Sequence, residues 1–435
     1  MLPYLCIEVL QEIGSQLPNS DQKNLRAVCK ELNVAIDPLF YTFFVLRGDR
    51  MRGEDGLKII ERLAAGQIGW SHHCKTIHIL PGSKAEKGEA IGPKWYPTNA
   101  EFPNLLVTAI ASMQNTQTVM WNVRARDPQW VREAICDSLS TLSHLTNLRL
   151  QIEGGFRLQL APLPRLTKLR IETMDWQPVH PEEICRLVGR GHNLTCLHLT
   201  GHCDWSQVWT MVRTTSLRPS PSTRIRLKDV RTRIVTPDLI TYLSSYSGLE
   251  RLTLEKFEGS QPQIDSYADA FFNDVLPQHS QSLVVLNCPA AYEGRWCFRM
   301  EVANSILQLR KLEKLHISVS AVDVIDAEPA VNAVTLLLNT AALLPALRLL
   351  HISPASRRRH FDIGLKTGIE DFTSHIESAA VVYTDAHYYG LAPAISDEGD
   401  YSTVLVYRIL DPESPRIAQV KGLVSQKERD EDEEW

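Results

Sequence analysis

Residues 145–150 read Leu145-x-x-Leu148-x-Leu150, and this spacing of three leucines decides the fold predicted for the chain. Leu148 and Leu150 alternate with polar residues, which indicates a short strand with one buried face. The same pattern, with Ile or Cys at the third place in some copies, starts again at Leu166, Leu194, Leu249, Leu283, Leu312 and Leu347. A weaker copy, Ile225-x-Leu227, fills the gap between the third and fourth full copies. The chain therefore repeats one structural unit.

Amphipathic helical stretches separate these strands. They cover residues 129–142, 181–189, 204–214, 237–245, 267–276, 301–309 and 330–344. The second apolar position of each strand recurs at steps of 21 to 35 residues. A strand and a helix at such a step are typical of a leucine-rich-repeat solenoid, in which stacked units bury one continuous core. We expect an α/β horseshoe with parallel strands on its concave face, the alternative being unrelated α/β crossovers.

The repeats depart from the usual leucine-rich pattern at one place. Most copies lack the Asn or Cys that normally follows the strand and hydrogen-bonds the turn backbone of adjacent units. We therefore expect an irregular solenoid with a leucine-rich-repeat-like architecture.

The N-terminal segment, residues 5–46, has a different pattern. Apolar residues at the three-and-four spacing of a helix run from Leu5 to Leu17, and Pro18 interrupts them. Two shorter helices are predicted next, the last of them ending at Asp37-Pro38. Three helices in about forty residues bury too little apolar surface to fold alone. They must pack on the rest of the chain or on a partner.

This segment resembles an F-box. The positions that carry the resemblance are Leu5, Glu8, Ile13, Leu17, Pro18, Leu25, Val28, Cys29 and Lys30. Cys6 replaces the usual Pro, and Leu32 replaces the usual Trp. The resemblance implies docking on the Skp adaptor of a cullin–RING ubiquitin ligase. The expected apolar contacts are Leu5, Val9, Ile13, Leu17, Pro18, Leu25, Val28 and Leu32. The alternative is a helical cap on the following domain.

The pattern predicts three regions. An F-box-like helical domain spans residues 1–46, and a solenoid with a C-terminal cap spans 47–410. Residues 81–103, rich in Gly, Pro and Lys, are expected to form a surface loop or an insertion, and two strands are expected at 378–383 and 401–410. Residues 411–435 form an acidic tail that we expect to be disordered.

Polar residues between the leucines of each strand point away from the core. Many of these residues are Lys or Arg, and the columns beside the second leucine contain no acid when Ile225 is aligned with the other copies. The expected target-binding residues are Lys168, Arg170, Arg224, Arg226, Lys228 and Arg251. Guanidinium groups in a row suit carboxylates or phosphates, so we expect an acidic or phosphorylated partner. The alternative is a solvated polar face without a ligand.

Composition narrows the remaining possibilities. The net charge of −5 offers no general attraction to nucleic acid or to acidic membranes. Nine cysteines without a paired spacing predict free thiols in a reducing compartment, the cytoplasm, the nucleus or both. His72, His73, Cys74 and His78 could suggest a zinc site, but no second pair of ligands follows at a suitable spacing. We therefore expect a surface loop and one strand residue there. The sequence has no nucleophile, metal or nucleotide motif, so no catalytic residue and no cofactor is expected.

The resemblance to an F-box, followed by the predicted solenoid, implies a substrate-recognition adaptor of a Skp–cullin–F-box ubiquitin ligase. The helices would bind the Skp adaptor, and the solenoid would hold a target protein near the transfer site. Two other functions are alternatives to the ligase adaptor. One is an interaction scaffold whose divergent F-box no longer couples to a ligase, and the other is an enzyme built on a horseshoe.

Overall fold

The structure is a computed structural model. It describes residues 5–48, 50–52, 54–81, 101–174, 180–217, 224–255, 262–325, 332–355, 361–374, 376, 378–384, 387–394 and 404–424. The chain divides into two compact units, unit 1 from Met1 to Ile225 and unit 2 from Arg226 to Trp435.

Unit 1 is built on parallel strands that pair in chain order. The strands are β1 (Phe43–Arg47), β2 (Thr76–Leu80), β3 (Thr118–Arg124), β4 (Asn147–Glu153), β5 (Lys168–Thr173) and β6 (Cys196–Gly201). In register, Leu148 of β4 lies opposite Leu169 of β5, which lies opposite Leu197 of β6. All three leucines are fully buried. The leucine spacing therefore predicted the order and the alignment of β4, β5 and β6.

Helices connect the strands of unit 1. They are α1 (Ile7–Ser15), α2 (Asn19–Arg26), α3 (Lys30–Phe40), α4 (Glu54–Ala64), α5 (Gly69–His73), α6 (Phe102–Ser112), α7 (Gln129–Thr141), α8 (Pro181–Arg190) and α9 (Ser206–Ser216). Sequence analysis missed α6, whose first two residues fall in the predicted loop 81–103; residues 82–100 of that loop lie outside the described residues. Pro103 follows directly on the first residue of α6, where a missing N–H costs nothing.

The end of α3 differs from the prediction. The sequence places the end at Asp37-Pro38, but α3 continues through Pro38 to Phe40. The amide of Tyr41 donates to the Asp37 carbonyl at 3.0 Å, so the helical pattern resumes after the proline. Val34, whose carbonyl cannot pair with Pro38, is 53% exposed, so this carbonyl lies near the surface. The predicted domain boundary at residue 46 falls inside β1.

Unit 2 also has a mostly parallel sheet. Its parallel strands are β7 (Asp229–Thr232), β8 (Arg251–Leu254), β9 (Val285–Cys288), β10 (Lys314–Val319), β11 (Leu349–Pro354) and β13 (Val381–Tyr383). Antiparallel pairing continues through β14 (Tyr388–Pro393) and β15 (Leu405–Ile409) to the two-residue β12 (Thr373–Ser374). Both strands predicted near the C-terminus are present as β13 and β15, although residues 401–403 lie outside the described residues.

Helices also alternate with the strands of unit 2. They are α10 (Pro237–Ser244), α11 (Pro262–Ala270), α12 (Leu276–Gln278), α13 (Met300–Leu307), α14 (Val322–Ile325), α15 (Ala333–Ala342), α16 (Phe361–Glu370) and α17 (Pro415–Val424). A π-helical stretch, Phe271–Val275, joins α11 to α12. The chain is therefore a mixed α/β protein, and the sheet of each unit is mostly parallel and open.

The predicted disordered tail begins with an ordered helix. Residues 411–435 were expected to lack structure, but α17 occupies Pro415–Val424. Ile417 and Val420 are 2% and 3% exposed, and Val420 packs against Leu349 and Val381. Burial of this apolar face stabilises the helix, so the prediction is wrong for these residues. Residues 425–435 lie outside the described residues.

The weak copy of the repeat has a different register from the one the sequence predicts. Val230, not Ile225, lies opposite Leu252, and Asp229 lies opposite Arg251. Ile225 and Leu227 are buried but precede the strand. The Tyr242 hydroxyl accepts from the Leu227 amide at 3.0 Å, and the Tyr246 hydroxyl donates to the Leu227 carbonyl at 2.8 Å. Because these hydroxyls hold the Leu227 backbone, strand pairing begins only at Asp229.

Candidate functional site

The helices α1, α2 and α3, called here the helical triplet, share a small core. Leu10, Leu32 and Ala35 are buried in it, and Leu25 and Cys29 pack against it. Buried Gln22 donates from its side-chain amide to the carbonyls of Gly14 and Leu17, at 3.1 and 3.0 Å, and so caps the end of α1. The core therefore holds α1 against α2 and α3.

Leu32 is a correction to the predicted adaptor contacts. Its side chain is 2% exposed and lies in the core of the helical triplet, so it cannot touch a partner without unfolding α3. The reason is helical spacing, because Leu32, Ala35 and Ile36 fall on one face and all three are buried.

The outer face of α1 carries a stripe of exposed apolar side chains. Val9 and Ile13 of α1, four residues apart, are 43% and 40% exposed, and Leu5, two residues before α1, is 41% exposed. Val28, just after α2, is 69% exposed. The remaining predicted contacts differ in exposure: Pro18 is exposed, and Leu17 and Leu25 are half-buried. We call Leu5, Val9, Ile13 and Val28 the apolar stripe. These large apolar side chains are exposed to water, although the opposite face of the helical triplet is already packed.

The helical triplet is fixed to the sheet of unit 1 by aromatic contacts. The rings of Tyr41 and Trp70 meet edge to face at 5.1 Å, and the Trp70 indole N–H donates to the Phe43 carbonyl at 3.0 Å. Gly69 permits this approach, because a Cβ there would lie 2.0 Å from the Tyr41 ring. Arg26 pairs with Asp37 and lies 4.4 Å from the Tyr41 ring centre. The stripe is thus presented on an anchored element.

In unit 1, the predicted target-binding cations fall into two groups. Lys168 and Arg170 lie on β5, and Arg170 is in register with Arg149 of β4, so cations occupy adjacent positions of two strands. Lys168 is exposed and Arg170 is half-buried. Arg224 lies after α9 and outside any described strand.

In unit 2, the predicted target-binding cations differ in exposure, in strand position and in the acids beside them. Arg226 is exposed and precedes β7. Lys228 pairs with Glu250 at 2.8 Å, and both side chains are about half exposed, so this pair adds little stability. Arg251 lies on β8 opposite Asp229. The expectation that the columns contain no acid is therefore wrong, because it depended on aligning Ile225 with Leu252.

The corrected register reveals a group that sequence analysis did not assemble. Arg251 of β8 and Lys314 of β10 lie in one register row, and Arg231 of β7 lies two residues along from that row, opposite Thr253. All three are on the face of the sheet opposite the leucine core. We call them the cationic cluster. Burial, followed by the charges of Arg251 and Arg231, lowers the pKa of Lys314 to about 8. Arg231 pairs with Glu255 at 2.6 Å.

A row of rings lies beside the cationic cluster. His316 is two residues after Lys314, and its ring stacks on His351 with centroids 3.7 Å apart. His351 contacts Tyr383 at 4.6 Å, and Tyr383 contacts Tyr388 at 4.5 Å. These four residues, called the aromatic ladder, occupy register-paired positions on β10, β11, β13 and β14. The ladder could be found in the sequence only once these strands were aligned.

The histidine and cysteine group near residue 74 has structural roles. The Cys74 thiol is buried and donates to the Thr76 carbonyl at 3.3 Å. Burial raises the pKa of Cys74 to about 11, so the thiolate that a metal would need is disfavoured.

In comparison with known proteins, no family model matches the chain, and no curated protein matches it in sequence. Among the residues that the structure describes, no helix is long and apolar enough to span a bilayer.

The described features suit binding. The apolar stripe can bury hydrocarbon against a partner helix, and the cationic cluster can hold an anion through charge-assisted hydrogen bonds. These two surfaces differ in chemistry, so they suit two different partners.

Proposed function

We propose that this chain is a substrate-recognition adaptor of a Skp–cullin–F-box ubiquitin ligase, located in the cytoplasm, the nucleus or both. In this proposal the helical triplet is an F-box that binds the Skp adaptor. The strand-and-helix repeats are a leucine-rich-repeat-like domain that binds the target protein through the polar face of its strands. The chain performs no bond chemistry, and its contribution is to raise the effective concentration of the target near the transfer site.

The observation that carries the proposal is the apolar stripe. Helix α1 is apolar on both faces, with Leu10 buried inside and Val9 and Ile13 exposed outside. Exposed apolar side chains at a spacing of four residues are the usual signature of a helix that docks in a hydrophobic groove. An ordinary helical cap would need apolar residues on its inner face alone.

The first prediction tests this stripe. Replacement of Val9 and Ile13 together by Asp should abolish capture of the Skp adaptor, because two desolvated carboxylates would face the apolar groove. Each residue is more than a third exposed, so the folded chain should tolerate the change. The measurement is a pull-down of purified Skp adaptor by the purified full chain.

The matched control is Val34→Asp on α3. Val34 is 53% exposed and lies outside the predicted contacts, so its substitution should leave capture unchanged. Thermal unfolding of each variant verifies that the helical triplet is intact. Failure of the wild-type chain to capture the adaptor would refute the ligase role and favour the scaffold with a divergent F-box. Equal capture by all three proteins would refute the assignment of the stripe.

A further inference from the structure

In unit 1, the face of the sheet opposite the leucine core begins with large apolar side chains. Phe43 and Val45 of β1 are 43% and 40% exposed and lie on that face, because they alternate with buried Phe44. Val45 lies opposite His78 of β2, and the Phe43 and His78 rings meet edge to face with centroids 6.3 Å apart. We call Phe43, Val45 and His78 the anchor patch. Large apolar side chains exposed side by side mark surfaces that bind a partner.

His78 is the polar member of the anchor patch. It is 6% exposed, although it lies beside exposed Val45. Among the residues that the structure describes, neither of its ring nitrogens has a hydrogen-bond partner. Burial, followed by the positive charge of Arg149, lowers the pKa of His78, so the neutral imidazole offers one donor and one acceptor. This unmet pair indicates a ligand that brings polar groups as well as hydrocarbon.

A row of polar side chains leads away from the anchor patch. Phe43 lies opposite Thr76 of β2, and the row continues through Thr118 of β3 and Asn147 of β4 to Lys168 of β5. The three middle side chains are half-buried, and within the described ranges none of them makes a hydrogen bond. The Asn147 Oδ1 atom is buried as well. We call Thr76, Thr118 and Asn147 the polar track, whose hydroxyl and amide groups can bind the backbone of an extended segment.

Lys168 ends this row with a positive charge. Its side chain is exposed and forms no ion pair with any other described residue. A carboxylate on a bound segment would complement this charge, and such complementarity contributes mainly to specificity. Four strand spacings separate β1 from β5, so the row spans about 19 Å, a length that about six extended residues cover. The row therefore matches a segment with an apolar residue at one end and an acidic residue at the other.

We propose that the anchor patch, the polar track and Lys168 together bind an extended segment of the target protein, in which an apolar side chain lies about six residues from a carboxylate. This inference rests on the proposed function for the identity of the partner. The apolar side chain covers Phe43 and Val45, and a polar group beside it pairs with His78. The polar track binds the backbone of the segment, and the carboxylate pairs with Lys168.

The test selects ligands from a phage-displayed library of random dodecapeptides on the purified full chain, with no other protein present. Compared with the unselected library, enriched sequences should more often carry an apolar residue about five to seven positions from Asp or Glu. Enrichment of no sequence, or of sequences without this spacing, would overturn the proposal. The most enriched peptide, synthesised with a fluorophore, then serves as the probe in polarisation titrations.

Two variants locate the site, and a third is a control. Val45→Asp should weaken binding of the probe at least about tenfold, and Lys168→Glu at least about threefold. Both residues are exposed, so the folded chain should tolerate either change. A second probe, with Lys in place of the acidic residue, should bind Lys168→Glu more tightly than the first probe does. Arg157→Glu reverses an exposed cation of unit 1 outside the row and should bind the first probe within about twofold of wild type.

Other outcomes would overturn the site or assign it to a different occupant. Unchanged binding in Val45→Asp and Lys168→Glu, or an equal loss in Arg157→Glu, would overturn the site. Sedimentation velocity at rising concentrations compares wild type with Val45→Asp. Self-association of the wild type that Val45→Asp abolishes would assign the face to a second copy of the chain and overturn the proposal.

Two assays on the wild-type chain separate this inference from the ligase proposal. Capture of the Skp adaptor without enrichment of any peptide would disprove the peptide site alone. Binding of the probe without capture of the adaptor would disprove the ligase role and leave the peptide site standing.

Discussion

At the scale of single residues, burial of polar side chains sets most of the chemistry in this chain. His279 is 1% exposed, and its Nε2–H donates to the Leu243 carbonyl at 2.9 Å. Its Nδ1 atom accepts from the Leu249 amide at 3.3 Å. Both ring nitrogens are therefore used by the neutral form, and burial lowers the pKa of His279 to about 4.

This histidine makes unit 2 sensitive to acid. The pKa of His279 is near 6.5 in the unfolded chain and near 4 in the folded chain. At pH values between these two, the imidazole is protonated in the unfolded chain and neutral in the folded chain. The stabilising contribution is complete above pH 6.5 and is lost as the pH falls. Between pH 7 and pH 5 we expect a loss of about 2 kcal/mol in the free energy of unfolding. Urea unfolding at both pH values measures it.

The matched variants are His279→Gln and His387→Gln. The first should show a smaller drop between the two pH values, because the titrating group is gone. The second replaces an exposed histidine of the same unit and should keep the wild-type drop. An identical drop in His279→Gln and wild type would show that other groups cause the acid sensitivity.

At the scale of secondary structure, the position of a residue on its helix decides its role. In α1, Leu10 packs inward while Val9 and Ile13 face water, so neighbouring residues serve the core and the apolar stripe. In α17, Ile417 and Val420 are buried three residues apart, and Ala418 and Gln419 between them are exposed. In α1 and in α17, one face therefore packs within its own unit and the other face is exposed to a partner or to solvent.

The buried face of α17 leads to a stability prediction. Val420→Ala should lower the free energy of unfolding by about 2 kcal/mol, because it leaves a cavity against Leu349 and Val381. Gln419→Ala, on the exposed face, should change it by less than about 0.5 kcal/mol. Chemical denaturation of the full chain measures both values. Equal, small effects would indicate that α17 does not pack on the sheet in solution.

At the scale of the whole molecule, the nine cysteines report on how the chain is packed. All are free thiols, and of these Cys6 is exposed, Cys29 is half-buried and the others are buried. Burial raises the pKa of Cys136 and of Cys288 to about 12. A buried thiol with a raised pKa holds almost no thiolate at neutral pH, so it reacts slowly.

Thiol titration with a chromogenic disulfide should therefore be biphasic. In the native chain Cys6 should react fastest and Cys29 more slowly, while the buried thiols react only after denaturant is added. A Cys6→Ser variant should lose the fast phase and keep the rest. Fast reaction of more than two thiols in the native chain would contradict the burial of the remaining seven.

The sequence by itself determined the repeated unit of this protein. Leucines spaced as in residues 145–150 predict buried strands, and the stretches between them predict helices with limits close to those observed. Such periodicity is a local property, because each strand must bury one face wherever it lies. The exposed pair on α1 was also predictable, since a spacing of four residues places Val9 and Ile13 on one side of a helix.

Only the tertiary structure decided which residues meet. The sequence aligned Ile225 with Leu252. In the structure the hydroxyls of Tyr242 and Tyr246 bind the Leu227 backbone and pairing begins at Asp229, which places Asp229 opposite Arg251. The sequence also predicted that Leu32 contacts the Skp adaptor, although α3 directs that side chain into the core of the helical triplet. Strand register and the choice between two apolar faces depend on side chains far away in the chain. A local pattern contains no information about those distant contacts.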